Sequence, residues 1–311
     1  MKVVVTGGAG FIGSHLAHAW VADGHEVVVV DNLSTGTDEA VPDGARLAVV
    51  DVTDGPSLEQ ELAGAELVFH QAASRAVQRS VDDPLATDWS NTHGTLTVLV
   101  KARSVGVRRV IVASSSSLYG GVAPRPTPEA SPLTPKSPYA VSKMAAEQYT
   151  RVFAEIYGLE TVALRYFNVF GPRQRPEGPY AAVIPRFIEA VAAGRPPVVH
   201  GDGMQSRDFT YIDDVVTANR LAANAPADRV SGGVYNIAQG QEHSLRDLLE
   251  ALYGILGRRV EPEYVDARAG DVRASRADIS AAAADLGFMP AVDLRSGLER
   301  TVRWMQERGL I

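Results

Sequence analysis

At 311 residues, with 45% apolar and 22% charged residues, the chain has an ordinary globular composition and is long enough for a large core and two lobes. A net charge of −7 with no basic stretch argues against nucleic acid as a partner, and no apolar run of about 20 residues suggests a membrane span. The absence of cysteine excludes disulfides, thiolate metal sites and cysteine nucleophiles; together with the lack of a signal-peptide region ahead of Lys2, it leads us to expect a cytoplasmic protein.

Val3 to Thr6 reads as a short buried strand, Gly10 to Ala22 as a helix ending near Gly24, and Glu26 to Asp31 as a second strand. Between the first strand and helix lies Gly7-Gly8-Ala9-Gly10-Phe11-Ile12-Gly13. Such glycines permit a tight turn, close approach of backbone to a pyrophosphate and close packing of helix on strand. Gly7, Gly10, Phe11, Ile12 and Gly13 are therefore expected to contact a dinucleotide. Asp31, 18 residues past Gly13, can accept both adenosine-ribose hydroxyls and would repel a 2′-phosphate, which favours NAD over NADP. Asn32 and Ser34 add no positive charge to reverse that preference. Asp51-Val52, after a third strand near 46–50, either reaches the adenine amino group or is a plain strand-end cap.

The alternation continues with helices at about 56–63, 84–104 and 138–157 and strands at about 66–71, 108–114 and 160–166. This is the grammar of an α/β, Rossmann-type doubly wound parallel sheet with right-handed crossovers. Ser137-Pro138 reads as the N-cap and first position of the 138–157 helix. Tyr139 then sits in the first turn, with Lys143 four residues on along the same face. The positive helix end and the ammonium are both expected to lower the phenol pKa and make Tyr139 a general acid/base. Taken alone, an exposed tyrosine on an amphipathic helix is the commoner origin of such a pair.

After Phe170 the pattern changes to short helices near 183–193, 213–224, 244–256, 278–285 and 293–308, with brief strands near 197–200, 233–237 and 261–265. We expect a dinucleotide-binding domain over 1–170 with a return segment at about 204–237, and a smaller α/β substrate-binding lobe over 171–311. His15 and His18 are three apart on the first helix without a carboxylate cluster, so no metal site is expected.

Taken together, several ordered stretches resemble the extended short-chain dehydrogenase/reductase family, in particular its NAD-dependent nucleotide-sugar 4-epimerases. They are Thr6 to Gly13, Asp31-Asn32-Leu33-Ser34-Thr35-Gly36, Ser114-Ser115-Ser116-Ser117-Leu118-Tyr119-Gly120 and the Tyr139/Lys143 pair. Leu164 to Gly171, Arg207 to Val215 and Arg268-Ala269-Gly270-Asp271-Val272-Arg273 complete the series, so the resemblance covers essentially the whole chain.

The resemblance implies that Ser115 hydrogen-bonds the reacting sugar oxygen and that Lys143 also holds the nicotinamide ribose. It implies that Tyr139 takes the proton of the sugar 4-hydroxyl while the 4-hydride passes to NAD. The resulting 4-keto sugar turns over and takes the hydride back on its other face, so NAD is regenerated. Family dehydratases carry an Asp-Glu pair after the serine position; Ser116-Ser117 here cannot act as an acid/base pair, which disfavours dehydration. A reductase of the same family, or a non-catalytic NAD-binding protein, are the other readings.

On the substrate side, Asn168, Arg207 and Arg268 match positions that contact the nucleotide diphosphate, a role suited to the bidentate guanidinium. Tyr180 to Pro185, including Val183, resembles the stretch over uracil in UDP-sugar members. Ser275 stands where a bulky tyrosine restricts the pocket in some members, leaving room for an N-acetyl group at C2. Arg175, with Ser116 and Ser117, matches the carboxylate-binding set of UDP-glucuronate members or is a plain surface arginine; Asn168 follows the neutral-hexose pattern. UDP-glucuronate, UDP-glucose and UDP-N-acetylglucosamine are thus the expected substrates. A homodimer through the helices at 92–104 and 141–157 is also implied.

Overall fold

The computed structural model describes residues 1–75, 77–174, 182–267 and 272–311. The first half alternates β1 (Lys2–Thr6), α1 (Phe11–Ala22), β2 (Glu26–Asp31), β3 (Ala45–Val49), α2 (Gly55–Leu62) and β4 (Leu67–His70). It continues with α3 (Val77–Asp82), α4 (Pro84–Asp88), α5 (Gly94–Ser104), β5 (Arg109–Ser115), α6 (Pro138–Tyr157) and β6 (Glu160–Tyr166). The second half holds β7 (Val169–Phe170), α7 (Val183–Ala192), β8 (Val198–His200), β9 (Ser206–Arg207), β10 (Thr210–Tyr211) and α8 (Ile212–Asn224). It ends with α9 (Ala227–Val230), β11 (Gly233–Ile237), β12 (His243–Ser244), α10 (Leu245–Leu256), β13 (Glu263–Val265), α11 (Ser280–Leu286) and α12 (Leu294–Glu307).

Seven strands form one parallel sheet in the order β11-β6-β5-β4-β1-β2-β3. The order reverses between β1 and β4, and ligands of such sheets bind at the carboxyl ends beside that point. Runs such as Val27–Val30 and Val110–Val112 are buried on both faces, as a sheet covered by helices requires. One core lies between the sheet and α1 and α8, and the other between the sheet and α2 and α5. No helix among the described residues is long and apolar enough to cross a membrane.

Two features depart from the sequence reading. The helix expected over 84–104 runs without a gap, but a π-helical turn at Trp89–His93 separates α4 from α5. The second half also carries two-residue strand pairs, β7 with β10 and β9 with β12, too short to leave a periodic signal.

Candidate active site

A cavity of about 990 Å³ opens at the carboxyl ends of β1 to β6. Gly7, Gly10, Phe11, Ile12, Gly13, Asp31, Asn32, Ser34, Asp51 and Val52 all line it. A Cβ on Gly13 would lie 2.2 Å from the Gly7 carbonyl oxygen, so glycine is obligatory where the helix packs on the turn. Helix α1 begins at Gly10 with no side-chain cap and no acid in its first turn, leaving its N–H groups and positive dipole end for an anion. Asp31 accepts from Ala9 N at 3.0 Å and Leu33 N at 2.9 Å, one bond to each oxygen, so each retains acceptor capacity. Asp51 is fixed by Asn32 at 2.7 Å and by the Thr53 amide and hydroxyl; burial opposes its charge, but these bonds hold its carboxyl below the usual range. The glycine cradle, uncapped helix end and acid at the end of β2 fit a dinucleotide without a 2′-phosphate.

Ser137 caps α6 as expected, its hydroxyl accepting from Ala140 N at 3.1 Å, and Pro138 opens the helix. Tyr139 and Lys143 both face the cavity. The Lys143 ammonium is only 4% exposed and donates to the Ala113 carbonyl at 2.9 Å; burial pulls its pKa down to about 8. The expectation of a depressed phenol pKa is corrected. Burial raises Tyr139 above its ordinary value, and neither the Ser115 hydrogen bond nor the Arg75 charge offsets it. The helix end and the ammonium are legible in consecutive residues, but the desolvation of a phenolate is not.

Ser115 ends β5, and strand alternation turns its neighbour Ser114 the other way, to donate to Glu147 Oε2 at 2.7 Å. Ser115 Oγ accepts from Ser117 N at 3.2 Å. Its own proton is thus free to be donated to the Tyr139 oxygen, with which it is hydrogen-bonded, or to a substrate oxygen.

Residues outside the sequence-based set complete this wall. Gln71 and Arg75 follow β4 and line the cavity; Arg75 acts electrostatically on Tyr139. Gln71 Nε2 donates to the Tyr166 hydroxyl at 3.2 Å, while its buried Oε1 has no partner among the described residues. Asn91, within the π turn, donates to Ser74 O and Ser142 Oγ and accepts from Ser74 N at 2.7 Å. It thereby ties the Arg75 loop to α6, an example of a π turn serving a functional site. The position of Gln71 and Arg75 just past a central strand was the available signal.

A second cavity, about 860 Å³, adjoins the first; Ser115, Tyr139, Tyr166 and Asn168 line both. Ser116, Ser117, Val183, Arg207 and Ser275 line the second one. Asn168, at a positive φ of 30°, donates to Asp208 O at 3.3 Å and lies 3.5 Å from Ser275 Oγ. Arg207 is half-buried and donates to Ser206 O at 2.8 Å. Arg175, Arg268, Tyr180 and Ala181 lie outside the described residues.

The dinucleotide cradle, the Tyr-Lys helix and the serine at the end of β5 define an NAD-dependent enzyme of the short-chain dehydrogenase/reductase class. A sequence profile of the NAD dependent epimerase/dehydratase family matches residues 3–238, and the chain belongs to that family as an NAD-dependent isomerase. It is 39% identical to the UDP-glucose 4-epimerase of Mycolicibacterium smegmatis, over 99% of each chain. Among solved structures, the UDP-N-acetylglucosamine 4-epimerase of Methanobrevibacter ruminantium in complex with UDP-N-acetylmuramic acid superposes with a TM-score of 0.94. It is 40% identical, over 99% of this chain and 98% of that one. The UDP-glucose 4-epimerase of Thermus thermophilus in complex with NAD is 38% identical with a TM-score of 0.91, over 100% of both chains.

Proposed function

We propose that the protein interconverts UDP-hexoses epimeric at C4 through a transient 4-keto sugar. The observation that carries this reading is the seam: Tyr139 and Ser115 stand where the dinucleotide cavity meets a second cavity bearing Arg207 and Asn168. Bound NAD supplies a hydride acceptor that returns what it takes, and a positive charge while oxidised. Tyr139 accepts the proton of the sugar 4-hydroxyl as the phenolate, a form that the positive charge of bound NAD and Lys143 would favour against burial, and later gives the proton back. Ser115, its acceptor side filled by Ser117 N, directs its proton at the oxygen that changes state. Lys143, pinned to Ala113 O, supports the tyrosine from one turn along the helix. Arg207 and Asn168, with Arg268, bind the diphosphate, and Val183 covers the uracil. Ser116 and Ser117, which line the second cavity, lack the acid/base pair that water elimination needs.

The small Ser275 side chain supports neutral hexoses with or without an N-acetyl group at C2, namely UDP-glucose and UDP-N-acetylglucosamine. UDP-glucuronate is the second reading. It is favoured by Ser117 Oγ, a buried hydroxyl in the second cavity with no partner among the described residues, which with Ser116 and Arg175 would bind a C6 carboxylate.

The test is incubation of purified protein with each of these three UDP-sugars, without added cofactor, followed by proton NMR. Galacto-configured product is expected in at least one tube, and its identity names the substrate. Three unchanged tubes, even after NAD is supplied, would overturn the reading.

The protein further pairs with a second copy of itself. Val100 on α5 and Val141, Val152, Ile156 and Tyr157 on α6 leave large apolar side chains exposed. Sedimentation at the mass of one chain, 33.2 kDa, would remove this pairing.

A further inference from the structure

Arg173 occupies one of only three positive-φ positions held by non-glycine residues among the described residues, at φ 66°. Such a backbone is strained for a residue with a Cβ and persists where its surroundings require it. The half-buried side chain lines the dinucleotide cavity, as do Phe11 and Ile12. Arg308, just past the end of α12, lines the same cavity, and neither arginine lines the second one.

The two guanidinium groups repel. Burial, together with the Arg308 charge, holds Arg173 below the usual arginine value. His15 and His18 on α1 feel the Arg173 charge as well. Neither guanidinium has a hydrogen-bond or ion-pair partner among the described residues; Glu39, which also lines the cavity, pairs with neither. In a chain with 37 acidic and 30 basic residues, an uncompensated pair of cations in a cavity wall is a place prepared for an anion. At the same cavity the α1 N–H groups lack a side-chain cap.

We propose that Arg173 and Arg308 join the glycine turn in binding the diphosphate of the dinucleotide. The amide groups at the start of α1 would donate to the diphosphate, and the two guanidinium forks would neutralise and pair with its oxygens. The C-terminal turn of the chain thereby becomes part of the cofactor site. This inference rests on the NAD cofactor and not on the choice of sugar.

The test compares the holoenzyme with Arg173→Gly, Arg308→Gln and the double variant. Glycine relieves the left-handed backbone while removing the guanidinium, so loss of fold is not built into the experiment. The first readout is the exchange rate of bound NAD against isotopically labelled NAD, or the NAD dissociation constant by calorimetry if the cofactor exchanges freely. The second is the affinity for UDP. Each single variant is expected to weaken NAD retention by roughly 10- to 100-fold, the scale of a hydrogen bond to a charged group. Arg173→Lys should fall between parent and Arg173→Gly, and raising salt should speed exchange more in the parent than in the double variant. UDP affinity should stay within about twofold, since these arginines line only the dinucleotide cavity. Parent-like NAD retention in the double variant would overturn the clamp, and so would an equal loss of UDP affinity. Failure of the epimerase reading would appear in the sugar NMR and leave this NAD readout intact.

Discussion

The dinucleotide cavity is walled by the carboxyl ends of six parallel strands, whereas the second cavity takes about half of its wall from pieces of the second half that meet through very short pairings. Gly7, Asp31, Gln71, Ser115 and Tyr166 stand at or just past strand ends whose registers are locked along β1, β2, β4, β5 and β6. By contrast, Arg207 lies in the two-residue strand β9 and Ser275 beside an isolated bridge from Ser206 to Ala274. The groups proposed to move protons are thus built on a frame that tolerates little displacement. The groups proposed to bind the sugar nucleotide hang on segments that can be exchanged without unpicking the sheet.

The sharpest way to break this contrast is at the seam. Tyr139→Phe should lower kcat by about 10²- to 10⁴-fold while leaving bound NAD in place, because only the proton-transfer group is removed. Stopped product formation with an unchanged content of releasable cofactor would be the signature, whereas parent-like turnover would refute the assignment. On the second cavity, Arg207→Ala should raise KM for the UDP-sugar by roughly 10- to 100-fold with kcat changed only a few-fold. Steady-state kinetics separates the two, and an equal fall in kcat would move Arg207 from binding into the chemical step.

The last test concerns the frame itself. His70 is fully buried at the end of β4, its ring nitrogens bonded to the Thr6 hydroxyl at 2.7 Å and the Thr95 hydroxyl at 2.9 Å. Burial, with Lys143 adding repulsion, holds its pKa down to about 3. Because the folded value lies below the unfolded one of 6.5, the unfolded chain takes up the proton first as pH falls. The stability from neutral His70 is present above pH 6.5 and is lost on the way down toward about 3. His15, held to about 4 by burial, adds to the same window. Chemical denaturation at pH 7 and 5 should differ by up to about 1.4 kcal/mol per pH unit for each such group. His70→Asn should flatten that slope, and an unchanged slope would place the acid sensitivity elsewhere.

How far the sequence could be read follows the same division. Helix α6 runs from Pro138 to Tyr157 as its cap and periodicity predict, and β2 ends at Asp31 as the β-branched run predicts. These are local signals, written in consecutive residues. What escapes them depends on distant partners. The π turn that aims Asn91 at Ser74 and Ser142 has no local signature, and neither do the two-residue strands around Arg207. Arg75 belongs to no periodic element, although the end of β4 is a place where ligands gather. The direction of the Tyr139 shift is hidden for a different reason: burial is a property of the folded molecule, and desolvation outweighs the charges visible in sequence.

A parallel sheet whose edge strand comes late in the chain also sets when the sheet can be completed as the chain is made. Its first six strands are complete by Tyr166, but the strand that covers the outer edge of β6 is Gly233–Ile237. Between those points a nascent chain carries β6, apolar and buried in the finished protein, as a bare edge with unpaired amides. Such an edge is a template for another chain, so premature termination in this interval yields an aggregation-prone fragment and not a smaller enzyme. The strand that arrives last closes the sheet, and it does so only after α7 and α8 have been synthesised.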